Sequence, residues 1–264
     1  GNVKRMVQVN NKLKGLNQHI KTIDYTYDLV SGNVHEVAYQ AGKWDRFYHR
    51  YEYDADNRLT YAFSSQDGRI WEKESRQHYY EHGPIARVEI GDKQVQAEDF
   101  AYTIHGWLKG VNSSTKQANR DIGKDGFEDS GNLHAHFGQD AFAYHLSYYQ
   151  NLNYLDYTSI GESPDDNYFL ATQSGASESQ RRDLYNGNIS MLVHTMSGNG
   201  GDVPTETSAT RFMYDQLNRI KGAVSYYASE ASMVADNDLS SALMSPFYLS
   251  SYEYDFNGNI LKLV

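Results

Sequence analysis

Tyr51-Glu52-Tyr53-Asp54-Ala55-Asp56-Asn57-Arg58-Leu59 reads as a strand, a tight turn and the opening of a second strand. In an extended chain side chains alternate between faces, so Tyr51 and Tyr53 lie on the same side. Asp54 can accept backbone N–H groups two residues on and start a turn. Asn57 is a residue type that tolerates positive φ at low cost, and Leu59 begins the return strand. The unit recurs as Phe212-Met213-Tyr214-Asp215-Gln216-Leu217-Asn218-Arg219-Ile220 and as Tyr252-Glu253-Tyr254-Asp255-Phe256-Asn257-Gly258-Asn259-Ile260. A further copy, Tyr25-Thr26-Tyr27-Asp28-Leu29-Val30-Ser31-Gly32-Asn33-Val34, carries one extra residue before its glycine. The shared form is a β-hairpin unit repeated along the chain. Tyr27, Tyr53, Tyr214 and Tyr254 are then wall residues. Asp28, Asp54, Asp215 and Asp255 are turn formers, and Gly32, Asn57, Asn218 and Gly258 are the sites of positive φ.

Composition fits hairpins. The 264 residues include 23 tyrosines, 21 glycines and 4 prolines. Tyrosine suits half-buried pleated surfaces and keeps a polar tip that can stay wet, and glycine without proline serves tight turns. The net charge of −10 argues against a nucleic-acid partner, which requires clustered Lys and Arg. With 0 cysteines there is no disulfide framework and no Cys-ligated zinc. No apolar run is long enough to span a membrane. No signal peptide is visible. The chain opens on Gly1-Asn2-Val3, the second half of a repeat, and reads as a piece of a longer protein.

Between the copies, Trp44, Phe47, Tyr48 and Tyr51 are expected to fill one strand. Asp67-Gly68-Arg69-Ile70 reads as a degenerate turn copy. Strands and turns then follow at short intervals to Gly110, the spacing of an antiparallel sheet. Residues 111–138 are polar and read as a loop-rich insertion. Residues 140–149 fit a strand, or a short helix through Phe142, His145, Leu146 and Tyr149. Residues 197–210 read as a hairpin tip, and the Ala/Ser/Met-rich stretch 228–245 as a helix. With no hinge-like linker, the expectation is a single repeat domain over 1–264.

Candidate chemistry is sparse. Repetition of Tyr-Asp argues against acid–base work, because an active site is made once. His134-Ala135-His136, with Asp140 and His145 nearby, is a metal candidate without a third ligand at a known spacing. Asp121-Ile122-Gly123-Lys124-Asp125-Gly126 is similar to a calcium loop, but it lacks the acidic third position and has Asn132 where a bidentate Glu should stand. No Gly-x-Ser-x-Gly elbow, His-Glu-x-x-His, phosphate loop or dinucleotide fingerprint is present. The expectation is therefore no catalytic residue, no cofactor and no metal. Trp44, Trp71 and Trp107 are candidates for a sugar-stacking surface, with Trp71 and Trp107 as the possible ligand contacts. Wall packing is the competing role.

The units resemble the YD repeats of RHS (rearrangement hotspot) proteins over residues 21–110 and 139–264. The Gly-Pro-Ile-Ala and Thr-Ile-His-Gly-Trp-Leu-Lys-Gly segments resemble large RHS-like surface or secreted proteins of Bacteroidetes-type bacteria. The resemblance implies an all-β fold: an antiparallel hairpin ribbon forming a strip of a hollow β-shell, with inserted loops and at most one or two short helices. It further implies a secreted or cell-surface bacterial parent, with neighbouring repeats of that parent as partners. In bacterial toxins such a shell encloses a C-terminal effector. The Asp-Pro-x-Gly self-cleavage motif of complete toxins is absent, so autoproteolysis is not carried over to any residue. The alternative function is an adhesin-like module binding a glycan or a cell-surface protein.

Overall fold

The computed structural model describes residues 1–16, 18–112, 121–127, 132–148, 186–197, 204–228 and 243–264. Strand follows strand, each antiparallel to its sequence neighbour within two compact units, Gly1–Ala97 and Glu98–Val264. The first unit contains β1 (Arg5–Val9), β2 (Ile20–Tyr27), β3 (Val34–Tyr39), β4 (Phe47–Tyr53), β5 (Leu59–Ser65), β6 (Glu72–Tyr79) and β7 (Ile85–Ile90). A single 3-10 turn, Asn11–Leu16, joins β1 to β2. β8 (Gln96–Tyr102) lies in the second unit from Glu98 onward. It is followed by β9 (Leu108–Val111), β10 (Phe142–Ser147), β11 (Met191–Ser197), β12 (Pro204–Tyr214), β13 (Ile220–Ala228), β14 (Leu243–Tyr254) and β15 (Ile260–Leu263). The fold is all-β.

Six of the repeat hairpins carry the same irregularity. The pairing register shifts at Thr26/Tyr27, Glu52/Tyr53, His78/Tyr79, Ala101/Tyr102, Met213/Tyr214 and Glu253/Tyr254. In every case the extra residue follows the aliphatic opener of the return strand; Tyr53 pairs with Leu59 and Glu52 with Tyr61, leaving Thr60 between them. A bulge bends the strand, sharpens its twist and re-aims the adjacent side chain. Here that side chain is always the tyrosine that ends the even strand.

The repeat turns join even strands to the odd strands that follow. The odd-to-even connections lie at the other end of the strands, and Asp67–Ile70 is one of these, joining β5 to β6. Its reading as a degenerate repeat is therefore corrected. Ser65 Oγ receives Gly68 N at 2.9 Å, and Asp67 Oδ1 receives Arg69 N and Ile70 N at 2.8 and 2.9 Å, a local turn of separate design. The repeat turn of that stretch is Tyr80–Pro84, with Tyr80 N donating to Pro84 O and Gly83 N to Tyr80 O, both at 2.9 Å.

Of the two possibilities for 140–149, the chain takes the strand: Ala143 and His145 are buried while Phe142 is exposed, the alternation of a pleated surface. Trp44 lies outside β4, in the β3–β4 loop. β12 takes in Pro204–Thr210, part of the expected hairpin tip. Hydroxyl pairs Thr195–Thr207 and Thr210–Ser225, at 2.8 and 3.1 Å, hold it to both neighbours. The expected helix over 228–245 falls on residues 229–242, outside the described ones. Its ends are the last residue of β13 and the first residues of β14.

Fully buried apolar side chains are mostly small, among them Ala97, Ala101, Ala143, Val193 and Ala209. Large rings sit half-buried on the sheet faces, where a phenol can bury its ring and wet its hydroxyl.

Candidate functional site

The bulge and the motif tyrosine act together. The β3–β4 ladder ends at Glu36↔Arg50, and beyond it the Tyr53 hydroxyl donates to the Val34 carbonyl at 2.9 Å. The same bond recurs at the same place in other repeats. Tyr27 donates to Val3 O (2.9 Å), Tyr79 to Leu59 O (2.7 Å), Tyr148 to Leu108 O (2.9 Å), Tyr214 to Ile189 O (2.9 Å) and Tyr254 to Ile220 O (2.7 Å). The strands splay at the turn end, and each phenol bridges the gap to the preceding repeat. Burial raises the Tyr53, Tyr79 and Tyr214 phenols above the ordinary tyrosine value, so these donors keep their protons.

Each aspartate closes its own turn. Asp54 Oδ1 accepts Asp56 N and Arg58 N at 2.9 Å, and Oδ2 accepts Arg58 Nε at 2.7 Å. Asp215 treats Leu217 and Arg219 likewise, and Asp255 treats Asn257 and Asn259. Asp28 takes Val30 N and Ser31 N at 3.0 and 2.7 Å. The arginines then reach into the next repeat: Arg58 lies 4.6 Å over the Tyr79 ring and Arg219 4.5 Å over Tyr254. Positive φ occurs at Asn57 (62°), Asn218 (63°), Gly32 (75°) and Gly258 (89°). Side-chain amides also link successive turns, Asn33 to Asn57 at 3.1 Å and Asn186 to Asn218 at 2.8 Å.

The metal candidates do not converge. His134 Nδ1 engages Gly123 O at 2.7 Å, and His145 is buried in β10, its imidazole pushed down to about 3 by burial. Among the described residues no group of three or more metal-type side chains forms. The calcium-like loop is closed by hydrogen bonds. Asp121 Oδ1 accepts Gly123 N and Lys124 N, both at 2.9 Å, and burial raises its carboxyl to about 7. Asn132 turns its donor amide to Lys124 O and Phe127 O, both at 2.7 Å, where a calcium ligand would offer an acceptor.

The candidate ligand contacts are packed. Arg50 lies 4.5 Å over the Trp71 ring and 4.9 Å over Phe63. Trp107 rests 5.0 Å from Tyr148, and Gly187 backs so closely that a Cβ there would sit 3.2 Å from its ring. Trp44 differs: it is 78% exposed and lines an open concavity of about 790 Å³ with Phe47, Asp67, Ile70, Glu72 and Glu74.

A buried ionic group on β6 and β7 has no counterpart in the sequence reading. Glu89, 4% exposed, meets His78 Nε2 at 3.1 Å, Arg87 Nε at 3.8 Å and Arg76 at 3.9 Å. Burial pushes its carboxyl up, but His78, Gln94 and Arg76 together outweigh that and the net shift is downward. The available signal was charge at alternate positions, Arg76/His78 and Arg87/Glu89.

Fold and ladder together define an antiparallel β-hairpin repeat protein. No protein-family model matches the chain, and no curated protein matches it. Among solved structures it is similar to the crystal structure of TcdB2-TccC3-Cdc42, at 11% identity and TM-score 0.42 over 97% of this chain and 11% of that one. It is also similar to the crystal structure of TcdB2-TccC3, at 11% identity and TM-score 0.41 over 100% and 14%. A third is the Photorhabdus luminescens Tc holotoxin pore, at 12% identity and TM-score 0.37 over 96% and 12%. The chain thus spans 11–14% of the length of these chains. No helix among the described residues is long and apolar enough to cross a membrane.

Proposed function

We propose that this chain is a non-catalytic wall segment: a strip of an RHS-type shell in a secreted or cell-surface bacterial protein. The complete protein encloses or presents a toxin or effector domain, and further repeats of that protein are the strip's partners. The observation that carries this reading is the recurrence of one hydrogen bond, from the motif tyrosine hydroxyl to the strand-opening carbonyl of the preceding repeat. A catalytic constellation is made once and places its polar groups at a reacting centre. Here repeat after repeat commits the same phenol to its neighbour and, where present, the same carboxylate to its own turn.

The test uses the protein encoded by the complete reading frame. Limited proteolysis is followed on the segment outside the repeats, in the whole protein and expressed alone. Enclosure predicts that the segment survives in the whole protein under conditions that digest it alone. Equal digestion rates would refute it.

A further inference from the structure

We propose that the open edge of β15 is a docking site for one further β-strand, which carries an acidic residue three positions before a motif tyrosine. The inference rests on the wall reading and names the chemistry of the neighbouring repeat.

The ladder bond comes with a fixed register. Where a tyrosine hydroxyl reaches an opener carbonyl, the residue two past the opener faces the residue three before the tyrosine. Arg5 thus faces Asp24, Glu36 faces Arg50 and Gly222 faces Ser251, and the other ladder bonds keep the same offset. Side chains directly opposite one another interact, and like charges there are destabilising. Wherever the return strand of these pairs places a charge at this position, the facing residue has the opposite sign. Arg5 pairs with Asp24 at 2.5 Å, and Glu36 stands against Arg50.

β15 offers half of this arrangement. Among the described residues it pairs only with β14, and its opener carbonyl, Ile260 O, receives no tyrosine hydroxyl. Val264 exchanges both backbone bonds with Ser251, at 2.8 and 3.1 Å. By the alternation of an antiparallel ladder, the N–H and C=O of Leu263 then point to the open edge. Ile260, Leu261 and Leu263 are 57–68% exposed. An extended apolar edge of this kind is a template for an added strand. Lys262 occupies the position two past the opener. Its Nζ stands 3.8 Å from Glu253 on β14, with both side chains more than half exposed. A carboxylate on the incoming strand would flank the same ammonium from the other side. A second copy's β15 fits worse, because pairing Leu261 with Leu263 in both directions sets the two Lys262 side chains opposite one another. The strand that fits has the pattern of β2, where Asp24 precedes Tyr27 by three.

A fluorescein-labelled peptide of residues 20–28 serves as the incoming strand, and its anisotropy is followed as the purified protein is added. Seated in register, it sets Asp24 opposite Lys262 and the Tyr27 hydroxyl against Ile260 O. Saturable binding is expected. Lys262→Glu should weaken it about fivefold and an Asp24→Lys peptide likewise, while the two together restore it. Leu263→Pro, which removes the outward donor, should abolish it. Both substituted residues are exposed, so the variants should keep the parent's circular dichroism and urea midpoint. Absence of saturable binding, indifference to Leu263→Pro, or a charge swap that fails to restore binding would overturn the proposal. So would a dimer of the free protein, seen in sedimentation and lost with Leu263→Pro, because the edge then belongs to a second copy. Proteolysis of the effector segment in the whole protein tests enclosure alone, so the two readings fail separately.

Discussion

A tyrosine hydroxyl that lands on a carbonyl just past the end of a ladder does work that no strand pairing can do there. Losing it leaves a backbone acceptor without its donor, so Tyr53→Phe and Tyr214→Phe should each cost about 0.5–1.5 kcal/mol in urea unfolding. Tyr51→Phe, which removes no such bond, should stay within about 0.5 kcal/mol. The turn tolerates little at its positive-φ position: Asn57→Val or Gly258→Val forces a β-branched residue to φ near 62° or 89°. Each should cost on the order of 1–3 kcal/mol, read as a lowered melting temperature. Backbone N–H donors hold Asp28, Asp54 and Asp215 below the usual carboxylate range, and the Asn259 amide does so first for Asp255. A depressed native pKa gives stability that is complete above the unfolded value, about 3.9, and is lost as pH falls through the lower native values. Urea midpoints should therefore drop below about pH 4. An Asp54→Asn, Asp215→Asn double variant should show a shallower drop, because two of the titrating groups are gone.

At the scale of the element, the repeated bulge explains what sequence could and could not tell. The hairpins were legible because Tyr-x-Tyr, Asp and Asn/Gly each have one local job. Tyr80–Pro84 and Thr103–Trp107 were not legible as full repeats, because neither has the aspartate. Yet Thr103 N still bonds Trp107 O at 2.7 Å, and Thr103 Oγ1 takes Trp107 N at 3.1 Å in the carboxylate's place. The backbone geometry is the conserved object within this chain, and the side chain that satisfies it varies. Trp44 was misplaced for a related reason: aromatic composition signals a strand, but the turn begins earlier, where Gln40 is buried at positive φ. Close strand packing gives its own prediction. A Cβ on Gly222 of β13 would stand 2.9 Å from Ser250 O on β14 and 2.9 Å from Met213 Cε on β12. The backbone oxygen cannot give way as a side chain can, so Gly222→Ala should cost about 1–3 kcal/mol in urea unfolding.

Across the molecule, each hydroxyl donor sits in one repeat and its acceptor in the repeat before, so the chain carries an interchangeable joint. Excising residues 34–58 would fuse the Asp28 turn directly to Leu59. Tyr27 would still face Val3, and Tyr79 would still face Leu59. The shortened protein should fold with its β-sheet circular dichroism and cooperative unfolding intact. Copy number is then free to drift by recombination between like turns, since every whole-module loss or gain regenerates the same contact at the seam.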